Sequence, residues 1–216
     1  MKITSSLFVY SLLMVAVLAA LIHSVHAQEL LSGRDLIDAL REGGYIIYFR
    51  HAETDWSQED HVSVVGEWTS CDPNRMRQLS DKGRAVARQI GVAIKRLNIP
   101  VGDVLSSEYC RTRETAALMH LGPVETTREI MNMRVAEMVG GAEAVIQRAQ
   151  RHLGTPPRPG TNTIIVAHGN LMRAATGEYT DEAGAGVFAP RAGKFQLVAL
   201  LGPESWQMLA DRFGQR

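Results

Sequence analysis

Tyr45-Ile46-Ile47-Tyr48-Phe49-Arg50-His51-Ala52-Glu53-Thr54 is the stretch that decides how this chain is read. Its first five residues are all apolar or aromatic, which suits a strand covered on both faces, as in a parallel sheet. The run then breaks abruptly into a charged and polar tip. Open α/β sheets place their ligands at the C-terminal edge of the strands. Arg50 and His51 stand at that edge, an anion-binding group beside a potential nucleophile. An ordinary strand end with a solvated Arg-His pair is the competing reading, and the rest of the chain has to choose.

Two other stretches repeat the design. Val101-Gly102-Asp103-Val104-Leu105-Ser106-Ser107 reads as a short strand leading into Cys110-Arg111-Thr112-Arg113, a helix start. Thr163-Ile164-Ile165-Val166-Ala167-His168-Gly169-Asn170 reads as a third strand with a polar tip. Helical patterns lie between them. One runs from Ser32, its cap, to Arg41 and stops at Gly43-Gly44. A second starts at Ser80 and lines Val86, Ile90, Ile94 and Leu97 along one face. Others cover Gly141 to Leu153 and Leu171 to Thr176. Pro123 to Thr126 reads as a weaker strand. Gly186 to Pro190 and Lys194 to Leu201 read as a closing hairpin turning at Arg191-Ala192-Gly193. Alternating strands and helices predict a three-layer α/β/α domain with a mostly parallel sheet. Thr54 to Gln78 is polar and irregular, and carries Trp56, Trp68, Arg75 and Arg77. A loop this long in a compact domain is more often a substrate-binding feature than a plain connector.

Composition narrows the function classes. The chain has 216 residues, 45% hydrophobic and 21% charged, with 23 basic against 23 acidic side chains. That is enough for one domain with a real core, and its charge balance implies neither nucleic acid nor an anionic membrane surface as partner. Any basic site must be local. Met1-Lys2 followed by an uncharged apolar run from Leu7 to Ile22 and by Val25-His26-Ala27 reads as a secretory signal peptide over 1–27, cleaved after Ala27. An uncleaved anchor is the alternative. Cleavage leaves residues 28–216 as the mature domain, with no membrane span and a periplasmic or secreted location. Cys71 and Cys110 both lie in that exported part, where an oxidising compartment favours their pairing.

In a parallel sheet the three polar tips, Arg50-His51, Arg111 and His168, share one edge. Two arginines with two histidines suit a phosphoryl group. Arginine offers a planar fork of donors that matches phosphate oxygens, and a neutral histidine can attack phosphorus. A second histidine, protonated, can share in neutralising the transferring charge. Such chemistry asks mainly for positioning and charge stabilisation, so no metal or cofactor is expected. Other chemistries fit less well. Cys71 and Arg77 meet the bare Cys-x5-Arg spacing of a cysteine phosphatase, but no strand precedes Cys71, and Asp72-Pro73 stand where backbone amides should cradle phosphate. There is no Gly-x-Ser-x-Gly elbow, no zinc spacing and no Walker loop.

Phe49-Arg50-His51-Ala52-Glu53-Thr54, Leu105 to Ala116, Val166-Ala167-His168-Gly169 and Leu79-Ser80-Asp81-Lys82-Gly83-Arg84-Ala85 resemble the signature segments of the histidine phosphatase superfamily. The likeness to this phosphoglycerate-mutase-like fold runs from about Leu36 to Leu201. Cys71, Cys110 and the leader are similar to those of its exported two-cysteine branch, which includes relatives of lipopolysaccharide core heptose phosphate phosphatases. The resemblance implies an exported phosphatase acting on a small phosphoester or a phosphorylated envelope glycan. It makes His51 the nucleophile that becomes phosphohistidine, Arg50 and Arg111 the clamp on the phosphoryl oxygens, and His168 a further donor to the same group.

The resemblance also implies a glutamate that protonates the leaving oxygen. Glu129 is the nearest match, with Glu125, Glu137 and Glu182 as competitors. Exported members often carry Glu-Gly-Glu near the last hairpin, where this chain reads Glu182-Ala183-Gly184. Ala52 stands where many members have glycine. Glu53 and Thr54 are read as holding the loop, and Asn170 either as bonding within the site or, the favoured reading, as capping the helix after His168. A phosphomutase is the alternative enzyme. A weak or inactive phosphate-binding envelope protein is the alternative from another class, and the lost second carboxylate points towards it. Oligomeric state is not legible from the sequence.

Overall fold

The computed structural model describes residues 30–215, so the leader read over 1–27 lies outside the described residues. The decisive stretch forms β1, Ile46–Arg50. It pairs in parallel with β4, Asn162–Ala167, on one side and antiparallel with β5, Ala185–Arg191, on the other. β2 (Val101–Ser107) and β3 (Val124–Thr127) extend the parallel part, and β6 (Lys194–Leu201) extends the antiparallel part. The sheet order is β3-β2-β4-β1-β5-β6, so the four strands β3, β2, β4 and β1 are parallel and two antiparallel strands close one edge. This is the mostly parallel sheet that the alternation of elements predicts.

Burial on both faces explains the unbroken apolar run. Ile47 and Phe49 point into one core, with Leu36, Ile94 and Trp206, while Ile46 and Tyr48 point into the other, with Val145 and Leu171. The first core is roofed by α1 (Gly33–Glu42), α2 (Asp81–Arg96), α3 (Cys110–Met119) and α6 (Ser205–Phe213). The second is roofed by α4 (Ala142–Gly154) and α5 (Gly169–Thr176). Helix α6 is not among the elements expected from the sequence. A helix of nine residues is marginal by itself, and burial holds it: Trp206 is fully covered and its ring packs 5.6 Å from that of Phe49. Full burial of a side chain that large contributes about 2–3 kcal/mol.

Local capping agrees in part with expectation. Ser80 Oγ accepts from Gly83 N at 2.9 Å, as an N-cap should. Gly83 lies so close to the Glu53 carbonyl that no side chain would fit there, which packs the start of α2 against the end of the decisive stretch. Ser32 occupies the N-cap position of α1 but makes no side-chain capping bond. Cys71 and Cys110 form a disulfide across 39 residues. It ties the irregular 54–78 region to the first residue of α3. Trp68, open in the sequence between a substrate contact and a solvated loop position, is neither: it is buried under that region with Met76, Tyr109, Met131 and Val135, and its Nε1 donates to Glu108 at 2.8 Å. Among the described residues no helix is long and apolar enough to cross a membrane.

Candidate active site

The register of β1 against β4 sets Arg50 beside Ala167, which brings the next residues, His51 and His168, together at the strand ends. His51 is pinned through its backbone. Its N–H donates to Ala167 O at 3.0 Å and its carbonyl accepts from Ala183 N at 3.0 Å. The ring is buried, with Nδ1 2.9 Å from the Ala52 carbonyl. A carbonyl only accepts, so Nδ1 carries the proton and Nε2 keeps its lone pair. Burial, and then the Arg111 charge, hold the His51 pKa well below the usual histidine range. The imidazole is therefore a neutral base with its free electron pair on Nε2.

His168 caps α5 and is equally buried. Its Nδ1 lies 3.1 Å from Asn132 Nδ2. Asn132 Oδ1 accepts from Asn170 Nδ2 at 2.8 Å and from Arg134 N at 3.0 Å, which assigns the amide orientation. Asn132 therefore donates to Nδ1. The His168 proton sits on Nε2, which donates to Ser107 Oγ at 2.9 Å. Burial first, then Arg111, push its pKa well below the usual range. The expected protonated His168 is corrected by this: it is neutral, and its one N–H is given to Ser107. Tyr109 packs edge-on at 4.7 Å, and the Tyr48 hydroxyl donates to the His168 carbonyl at 2.9 Å. The His51 and His168 rings are 5.8 Å apart.

Arg50 donates to Tyr179 Oη at 2.7 Å and lies 3.4 Å from Glu182. Arg111 is buried, and both ends of its fork are held by Asp60, Nη1 to Oδ1 at 2.9 Å and Nη2 to Oδ2 at 3.0 Å. These groups line a cavity of about 170 Å³, to which Arg77 and Arg134 also contribute. Gly169 is required there, because a Cβ would sit 2.9 Å from Arg50 Cδ and 3.0 Å from the Tyr179 ring. An adjoining cleft of about 770 Å³ shares Arg50, Trp56 and Tyr179 with the cavity and runs on towards Lys82 and Gln207. Among the described residues no group of three or more histidine, cysteine, aspartate or glutamate side chains is placed to hold a metal ion.

Four site residues named from the sequence therefore converge: His51, Arg50, Arg111 and His168. Glu129 does not join them. It is half exposed on the turn after β3, with Oε2 2.7 Å from His152 Nε2. The reason is local: Glu129 sits in the turn Arg128–Ile130, where its side chain pairs with His152 of α4, while Asn132 and Arg134, a few residues on, do reach the cavity. Glu125 and Glu137 are exposed and line no part of the cavity. Glu182 does come close. It lies 3.9 Å from His51 Nδ1 and accepts from Thr54 Oγ1 at 2.8 Å and Thr54 N at 3.3 Å. Gly184, where the second carboxylate of the family pattern would fall, has no room for a side chain because Thr180 Oγ1 fills the space. Asn170 is not the cap of α5, a position taken by His168. It bonds to Asn132 instead and so supports the histidine indirectly.

Three participants carry no signal that sequence reasoning could use. Asp60 and Asn132 sit in irregular segments without periodicity, and Ser107 reads only as a strand end. Of the loop residues singled out, Arg77 and Trp56 reach the cavity, with the Arg77 guanidinium 3.9 Å over the Trp56 ring. Arg75 pairs with Glu67 on the surface.

The family model of the histidine phosphatase superfamily (branch 1) matches residues 46–156. No curated protein sequence matches the chain. Solved structures show the same fold at low identity. Phosphoserine phosphatase from Entamoeba histolytica, as a histidine-to-alanine mutant in complex with phosphoserine, is 13% identical, with TM-score 0.51 over 74% of this chain and 98% of that one. The product of open reading frame Rv3214 from Mycobacterium tuberculosis is 20% identical, with TM-score 0.50 over 74% and 97%. The protein histidine phosphatase SixA, with tungstate, is 16% identical, with TM-score 0.50 over 74% and 97%.

Proposed function

The chain belongs to the histidine phosphatase superfamily, and we propose that it is an exported phosphatase that hydrolyses phosphomonoesters through a phosphohistidine at His51, without a metal. One observation carries the reading. His51 is buried and neutral, its proton is committed to the Ala52 carbonyl, and its lone pair is left on Nε2 in a cavity lined by arginines. Nε2 attacks phosphorus as the bond to the leaving oxygen breaks, and water then attacks phospho-His51 to release phosphate. Arg50 and Arg111, joined by the His168 N–H once it leaves Ser107 Oγ, hold the phosphoryl oxygens through both steps, which is the positioning and charge stabilisation this chemistry needs. Glu182, beside Nδ1, favours the positive charge that the ring gains when Nε2 is phosphorylated.

Export is supported by the apolar leader pattern over 1–27 and by the Cys71–Cys110 disulfide, a bond that persists in oxidising compartments. The mature domain is then residues 28–216. The substrate is a small phosphoester or a phosphorylated envelope glycan of the kind implied by the two-cysteine branch, with its leaving group in the adjoining cleft. The missing second carboxylate at Gly184 favours a second reading, a phosphate-binding protein with little turnover.

The purified mature chain should hydrolyse p-nitrophenyl phosphate in EDTA, be inhibited by vanadate, and lose at least about 1,000-fold in kcat on His51→Ala. Acid-quenched enzyme should hold an acid-labile, base-stable phosphate. Unchanged activity in His51→Ala would sink the mechanism, and no turnover on a broad phosphoester panel would favour the binding reading.

A further inference from the structure

Asp60 lies in the 54–78 region, and among the described residues it is the one carboxylate that lines the cavity holding both histidines. Its side chain is 8% exposed. Oδ1 accepts from Arg111 Nη1 at 2.9 Å and from Arg77 N at 3.1 Å, and Oδ2 accepts from Arg111 Nη2 at 3.0 Å. We propose that Asp60 is the catalytic residue that carries the proton to the leaving oxygen, an inference that rests on the phosphohistidine reading above.

The Arg111 guanidinium serves two anions. A phosphoryl group needs it, and Asp60 already holds both ends of its fork. The phosphoryl group can take that fork only by displacing the Asp60 carboxylate from it. Once a phosphoryl group sits against Arg111, two anions face each other in a buried space, and like charges so placed do not both stay unprotonated. The charges around them are cationic, from Arg50, Arg77, Arg111 and Arg134, while His51 and His168 are neutral. They hold the phosphoryl group fully ionised, and the displaced carboxylate, without its Arg111 partner, takes the proton that a monoanionic ester brings.

The step then balances. As the His51 Nε2–P bond forms and the P–O bond breaks, the Asp60 carboxyl gives its proton to the departing oxygen. The carboxylate returns to Arg111. In the second half it takes a proton from the water that attacks phospho-His51, and so closes the cycle. The rival carboxylates line no part of this cavity. Glu129 is bound to His152, and Glu182 is held by Thr54 and Arg50.

Asp60→Asn and Asp60→Glu, compared with wild type on p-nitrophenyl phosphate and on an alkyl phosphomonoester, test this. A general acid contributes most where the leaving group is poor, so Asp60→Asn should lose about 100-fold or more on the alkyl ester and under about fivefold on p-nitrophenyl phosphate. It should still form phosphohistidine from the activated ester, and Asp60→Glu should recover part of the alkyl-ester rate. Equal losses on both esters would reduce Asp60 to a residue that positions Arg111. Faster turnover with tighter vanadate binding would make it a competitor for the phosphate site. Either result, in an active wild type, overturns this inference alone, whereas a wild type that forms no acid-labile phosphate overturns the phosphohistidine reading and this inference with it.

Discussion

The two sides of the cavity are held by different means. On one side, Arg50, His51 and His168 are strand-end residues fixed by the sheet: Arg50 N donates to Gly184 O, and His51 N to Ala167 O, each at 3.0 Å. On the other side, Asp60, Arg77 and Trp56 hang on an irregular segment held by scattered bonds. Asp55 N reaches Gln78 O at 3.0 Å, His61 N reaches Arg75 O at 2.9 Å, and Gln78 N reaches Gln58 Oε1 at 2.9 Å. The disulfide anchors that segment beside Arg111. A nucleophile needs a placement that does not drift, and the sheet supplies it. A group that must yield to substrate and then return is better placed on a loop.

The Arg111–Asp60 pair joins the two sides, and cutting it tests the contrast most severely. Arg111→Met should destabilise the protein by about 3–5 kcal/mol in urea unfolding, because it leaves a buried carboxylate unpaired. Adding Asp60→Leu should recover most of that loss. A cost for Arg111→Met below about 1 kcal/mol would mean that the loop side simply turns Asp60 out to water, a looser attachment than the contacts suggest.

Removing the tether comes next. Cys71→Ser with Cys110→Ser should lower stability by about 2–4 kcal/mol, given the chain length closed by the bond. Protease cleavage should appear first within 54–78, while amide exchange in β1 and β4 stays slow. If β1 loses protection together with the loop, the two sides unfold as one unit and the distinction fails.

Titration gives the smallest effect per group removed, at most about 2 kcal/mol for each histidine between pH 7 and pH 5, and belongs to the strand-end side. His51 and His168 have folded pKa values well below their ordinary value of 6.5. The unfolded chain therefore binds more protons as pH falls through 6.5. Stability should be complete above that value and decline below it, by up to about 1.4 kcal/mol per pH unit for each histidine. Urea unfolding between pH 7 and pH 5 should show this slope, reduced in His51→Gln and in His168→Gln. A wild-type slope matching that of the doubly substituted chain would show that the two rings are not held neutral.

The legible part of the site follows the strands. Tyr45 to Phe49 can be read because burial on both faces demands consecutive apolar residues, and the abrupt change at Arg50-His51 marks where the sheet ends. Val166-Ala167-His168 repeats the pattern. The turn at Ala192-Gly193 and the cap at Ser80 are readable because local backbone chemistry chooses those residues. Helix α6 is harder to read, although Trp206, Leu209, Ala210 and Phe213 are spaced as one apolar face. Its stability depends on contact with Phe49, far away in the chain.

Glu129 and Asp60 mark the boundary of what the chain alone can say about catalysis. Motif order puts Glu129 in the right part of the sequence, but the turn after β3 aims it at His152, while Asn132, three residues on, enters the cavity. Asp60 has no periodicity and no motif, and becomes a cavity residue only because Arg111, 51 residues later, is buried opposite it. Strand ends can be read from the chain because burial on both faces imposes its pattern on consecutive residues. The pairing of charges across the cavity cannot, because it depends on which distant segments the fold brings within 3 Å of each other.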